Sequence, residues 1–183
     1  GYYKQALKIK PDYANAHYNM GNALKDKGEL EAAIDSYKQA LKIEPNYFEA
    51  YSNMGVALKD NGLLEAAIEC YQRVLKIKPN YAEAYHNMGI ALSEKGDLET
   101  AMESYKRAIN IEPKHADAHI NKAFLHLRLL DFEAGWLSYE WRWKVSKDRP
   151  QFLKTSKPLW KPLMKQRVLL WGEQGLGDEI MFA

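Results

Sequence analysis

The chain repeats itself every 34 residues. At that offset Pro11, Pro45, Pro79 and Pro113 superimpose, then Gly21, Gly55 and Gly89, then Gly28, Gly62 and Gly96, followed by Tyr37, Tyr71, Tyr105 and Tyr139. A period of this length makes each unit a supersecondary element that buries its apolar face only against its neighbours, so the fold is a stack and not a globule with one centre.

Within residues 14–47, His17, Met20, Gly21 and Leu24 fall at i, i+3, i+4 and i+7, the spacing of one helix face. This first helix, A, stops at Lys27-Gly28, where glycine can take the left-handed conformation that ends a helix. Leu30, Ala33, Ile34, Tyr37, Ala40 and Leu41 draw a second stripe, helix B, which ends before Pro45 because the residue preceding a proline is pushed out of the helical region. Glycine and alanine at facing positions (Gly21 and Ala33, Gly55 and Ala67, Gly89 and Ala101) are expected to let the two helices approach closely. Each unit is then a helical hairpin.

Period, small residues and aromatic positions together resemble the tetratricopeptide repeat (TPR) family over residues 1 to about 143. The resemblance implies an all-α solenoid of antiparallel helix pairs wound into a right-handed superhelix. The expected organisation is the end of a truncated repeat (1–13), three full repeats (14–47, 48–81, 82–115) and a divergent terminal repeat (116–149). Next come a basic, proline-containing linker (150–167) and the first strand and glycine-rich turn of an incomplete α/β domain (168–183). Residues 2–7 align with the middle of a helix B, so the chain reads as truncated at its front, with an end able to self-associate.

In the fourth unit Ala123 stands where glycine was, Leu130 replaces the turn glycine and Gly135 replaces the helix B alanine. Its helix B becomes aromatic from Gly135 to Trp143, and all five tryptophans lie at or after 136. A terminal repeat needs bulky apolar surface to dock onto the next part of the chain, and this helix is a second candidate for self-association. A sugar- or base-stacking platform is the less favoured reading.

Composition narrows the function. No run of about 18 apolar residues suggests a membrane span, and no leader suggests secretion. The single cysteine, Cys70, rules out an internal disulfide framework; it suits a reducing, cytoplasmic compartment and is expected at a surface or half-buried position. Residues 144–183 carry 8 Lys and Arg against 4 Asp and Glu, a basic tail too modest to propose nucleic acid.

The candidate binding site is a stripe of asparagines. Asn19, Asn53, Asn87 and Asn121 recur at one place on helix A, on a face shared with Asn15, Asn22 and Asp26, then Glu49, Val56 and Asp60, then Glu83, Ile90 and Glu94, then Asp117, Phe124 and Arg128. A side-chain amide can pair with both the N–H and the C=O of a peptide unit. With A helices roughly 10 Å apart and an extended strand advancing about 3.3 Å per residue, the rungs would meet about every third residue of a bound segment. The alternative is that these amides bond the adjacent helix and stiffen the array.

The repeats look most like those of the O-linked GlcNAc transferases, which implies that the four asparagines correspond to that family's substrate-holding ladder. Asp26, Asp60 and Glu94 put carboxylates where chaperone-binding family members have basic residues, so a clamp for a C-terminal carboxylate is not expected. Acidic rungs favour a neutral or basic segment.

The string Glu-Gln-Gly-Leu-Gly-Asp at 173–178, after Trp-Arg-Trp and Pro-Leu-Trp, resembles bacterial proteins in which such repeats precede a heptosyltransferase-related domain. That implies Asp178 as a candidate catalytic base in an intact parent and the array as its acceptor-recruiting part; in the chain as given Asp178 reads as a helix cap and no turnover is expected. Gly172, Gly175 and Gly177 match neither the dinucleotide fingerprint nor a P-loop, and no cofactor is implied. His86, His115 and His126 have no cysteine or carboxylate at a repeating ligand spacing, so no metal site is expected. Nor is there a Ser-His-Asp or Cys-His grouping.

Overall fold

A computed structural model of the chain describes residues 2–142. The expected linker, the α/β fragment with Asp178, and Trp143 lie outside the described residues. Among the described residues the elements are all helical: α1 (Tyr2–Ile9), α2 (Ala14–Lys25), α3 (Leu30–Ile43), α4 (Phe48–Asp60), α5 (Leu64–Ile77), α6 (Ala82–Lys95), α7 (Leu98–Ile111), α8 (Ala116–Arg128) and α9 (Phe132–Tyr139). Helices pack in sequence order, and α2, α4, α6 and α8 also touch one another in turn, so these four A helices form one layer and the B helices a second.

The turns are set by the glycines. Gly28, Gly62 and Gly96 have φ of 79°, 78° and 95°. Each permits the next residue to return its N–H to a carbonyl five residues back, Glu29 to Leu24, Leu63 to Leu58 and Asp97 to Leu92, at 2.9–3.0 Å. The fourth turn keeps this geometry without a glycine: Leu130 sits at φ 63° and Asp131 bonds His126 at 2.9 Å.

Close approach within a hairpin has a different source from the expected glycine–alanine contact. A Cβ at Gly21, Gly55 or Gly89 would lie 2.6–2.7 Å from the ring of Tyr37, Tyr71 or Tyr105. The glycine makes room for the tyrosine of its own helix B, and these rings are at most 2% exposed. The fourth unit exchanges the parts: Ala123 fills the glycine's place, Gly135 moves to helix B against Leu127, and Tyr139 turns to Phe124 and Trp136. A single apolar cluster runs through the stack from Ala33 to Leu125.

Two expectations need correction. Cys70 is buried, 5% exposed, because its place in helix B is the one Ser36 and Ser104 occupy against the neighbouring helices. The final aromatic helix ends at Tyr139, and its aromatic neighbour Trp141 packs back onto the array, its ring 3.7 Å from that of His119 and parallel to it. No helix among the described residues is long and apolar enough to cross a membrane.

Candidate functional site: the A-helix face

The face built by α2, α4, α6 and α8 carries the asparagines. Asn19 is exposed, whereas Asn53, Asn87 and Asn121 are half-buried. Their amide nitrogens are already engaged. Asn53 Nδ2 donates across the repeat boundary to the Tyr18 hydroxyl (3.0 Å) and to Asn22 Oδ1 (2.9 Å). Asn121 Nδ2 lies 2.9 Å from His86 Nε2, the equivalent crossing two repeats later. Asn87 would meet Ser52 at that place; the serine is too short to reach it, and Asn87 donates instead to Glu83 Oε1 in its own helix (3.1 Å).

These bonds change the pairing that the sequence suggests. Both N–H groups of Asn53 are used within the array, so toward a ligand its amide presents the oxygen, which accepts from a peptide N–H; pairing with both sides of a peptide unit would cost the array two bonds.

The flanking acids differ from rung to rung. Asp26 pairs with Lys25 (3.3 Å) and Asp60 with Lys59 (2.7 Å), each the preceding residue. Asn15 accepts from the Tyr47 hydroxyl at 2.7 Å. Glu49, Glu83, Glu94 and Asp117 are exposed. Between α6 and α8 the face deepens into a cleft of about 310 Å³ bounded by Glu94, Asn121, Phe124, Arg128, Ile90 and Tyr105. Phe124 is 50% exposed there, and Arg128 donates to the Ser93 carbonyl at 3.2 Å, holding one wall.

Histidines gather at one place where the sequence suggested scatter. His115 Nε2 lies 3.3 Å from Glu83 Oε2, and the His115 and His86 rings are 4.7 Å apart. Burial, then the neighbouring His115, holds the His86 imidazole below its ordinary titration range, against the opposing pull of Glu83 and Asp117. Spacing along one helix misses the group because the third member, His115, comes from the turn that caps the next A helix, α8. His126 also has a carboxylate partner, Asp131 Oδ2 at 2.9 Å.

The family model for the TPR repeat matches residues 2–28, 21–62, 57–96 and 91–129. The chain belongs to the TPR family. Its helical hairpins are the repeats of that family. No curated protein matches the chain. Among solved structures it resembles MamA (25% identity, TM-score 0.72, over 78% of this chain and 83% of that one). It also resembles PilF of Pseudomonas aeruginosa (17%, TM-score 0.72, over 79% and 66%). A third similar structure is the first TPR domain of Spaghetti (RPAP3) bound to the HSP90 peptide SRMEEVD (22%, TM-score 0.62, over 64% and 93%).

Proposed function

We propose that this TPR array holds an extended, neutral or basic polypeptide segment along the A-helix face, with Asn19, Asn53, Asn87 and Asn121 as the rungs that read its backbone. The carrying observation is that these four amides lie at one repeat position on contiguous helices, with Asn53, Asn87 and Asn121 held through nitrogen. Amides fixed in this way present oxygen acceptors without further ordering, which lowers the cost of binding. At about 0.5–1.5 kcal/mol per neutral hydrogen bond, four rungs give a modest, transient complex. The cleft at Phe124 would take an apolar side chain of the segment.

Charge selects the segment. The RPAP3 structure holds a peptide with two adjacent glutamates, whereas this face exposes Glu49, Glu83, Glu94 and Asp117. Like charges would repel an acidic ligand. Fluorescence anisotropy with a lysine-containing peptide series and with SRMEEVD tests this: the account requires binding within the first set and none of the acidic peptide. Tighter binding of the acidic peptide would overturn it.

A second reading, self-association, has its own observation. Ile9 in α1 is 87% exposed, and at the other end of the described residues Leu130, Phe132 and Leu137 are 73%, 53% and 76% exposed. Sedimentation of the full chain that stays monomeric at high concentration would remove it.

A further inference from the structure

The junction between the third and fourth repeats differs in chemistry from its two predecessors, and the repeat supplies an internal control. At the first junction the three equivalent places hold Asn15, Tyr18 and Tyr47; at the second, Glu49, Ser52 and Tyr81; at the third, Glu83, His86 and His115. The first is an ordinary aromatic contact, the Tyr18 and Tyr47 rings being 5.0 Å apart. In the third, one carboxylate oxygen and one nitrogen from each imidazole all lie within 4.8 Å of one another.

We propose that Glu83, His86 and His115 form a binding site for a divalent transition-metal ion of the zinc class, joining α6 to the N-terminus of α8 and sharing Glu83, Asn87 and Asn121 with the backbone-reading face. Zinc with imidazole and carboxylate ligands at about 2.0–2.2 Å places neighbouring donors about 3.3 Å apart in a tetrahedron, the present separation of Glu83 Oε2 and His115 Nε2. The His86 nitrogen lies within 4.8 Å of the other two donors and must draw closer to complete the set.

A second, independent observation points the same way. His86 is 7% exposed, and its Nδ1 is buried without a hydrogen-bond partner. Such an atom carries a desolvation cost that a coordinated cation would remove. With Nδ1 on the ion, Nε2 keeps the proton and donates it to Asn121, whose amide turns its oxygen toward the ring and its N–H groups toward the face, so in the metal-bound chain this rung offers a donor to a peptide C=O in place of an acceptor. Asn87 meanwhile holds the other oxygen of Glu83. Metal ligands are commonly oriented by outer partners of this kind.

His115 also caps α8, its Nδ1 accepting from the Ala118 N–H at a long 3.3 Å. Coordination through Nε2 moves the ring proton to Nδ1 and gives up that bond. Three protein ligands leave a fourth position for water on the side of Glu83, whose side chain is 49% exposed. Two imidazoles and one carboxylate suit zinc, cobalt or nickel and not calcium or magnesium, which prefer oxygen alone.

The test uses the full 183-residue chain, stripped with a chelator, titrated calorimetrically with Zn²⁺ and, separately, with Mg²⁺. The expected result is one Zn²⁺ per chain and no Mg²⁺ binding. His115→Tyr and His86→Tyr restore residues that the first junction accommodates, so both variants should fold. Each should bind Zn²⁺ at least about tenfold more weakly, since even outer-partner changes cost that much. Co²⁺ should give a tetrahedral visible spectrum that Glu83→Gln abolishes. Zinc binding that is unchanged in both tyrosine variants, or absent from the folded wild-type chain, would overturn the proposal.

Discussion

The Tyr37 hydroxyl donates to Asn22 Oδ1 at 2.7 Å, and the same oxygen accepts from Asn53. One repeat later Val56 stands where Asn22 does, and the Tyr71 hydroxyl is buried without a partner. Two tyrosines of equal burial thus have opposite hydrogen-bonding fates. Tyr37→Phe should cost about 1 kcal/mol in urea denaturation, while Tyr71→Phe should be neutral or stabilising, because it removes an unsatisfied group. Equal destabilisation by both would refute this account of the network.

Glycine at position 55 is required by the ring of Tyr71. Gly55→Ala gains helix propensity, about 0.5–1 kcal/mol, but forces a methyl to 2.7 Å from that ring. Overpacking of this kind costs about 1–3 kcal/mol, so the net effect should be a loss of up to about 2.5 kcal/mol, read as a lowered urea midpoint. The variant Gly62→Ala should also destabilise, through its φ of 78° and not through contact, since no atom lies within 4 Å of the added Cβ.

Leu130 is the converse case. It holds a left-handed conformation at φ 63° while 73% exposed, so it bears backbone strain and gains little from burial. A left-handed non-glycine residue costs roughly 1–2 kcal/mol, partly offset by the unfolded-state entropy of glycine. Leu130→Gly should therefore raise stability by about 0.5–1 kcal/mol and bring a higher melting temperature.

Alkaline pH should unfold the array. Burial, then nearby Glu69, pushes the Cys70 thiol from 9.0 up to about 12, and burial raises the Tyr37, Tyr71 and Tyr105 phenols in the same direction. The folded state holds these protons more tightly than the unfolded state. Their contribution is therefore complete below about pH 9 and is lost as pH rises through the folded values. Thermal melts from pH 8 to 11 should show a falling midpoint. In the same folded chain Cys70 should react with a thiol reagent only as fast as the protein opens; labelling at the rate of a free thiol would contradict its burial.

Much of the fold was legible because it is local and repeated. The period, the turn glycines and the helix faces can be read directly along the sequence. The tyrosine contact at Gly21 was not, because it depends on how two helices cross. Burial of Cys70 had a readable sign in the small residues Ser36 and Ser104 at the equivalent places. The engagement of Asn53 and Asn121 depends on which side chain the preceding repeat offers, Tyr18 or His86, and the failure of Asn87 to do the same depends on Ser52. A stripe of identical residues therefore conceals three different environments.

The most direct test of the backbone-reading proposal uses Asn19, the rung without a side-chain hydrogen bond among the described residues, whose removal leaves the internal network intact. A segment selected from an unbiased peptide library on the full chain should bind Asn19→Ala about 2- to 10-fold more weakly, one neutral hydrogen bond's worth, at an unchanged melting temperature. Equal affinity for both proteins, or no segment retained by the folded chain, would contradict the proposal that this face reads a polypeptide backbone.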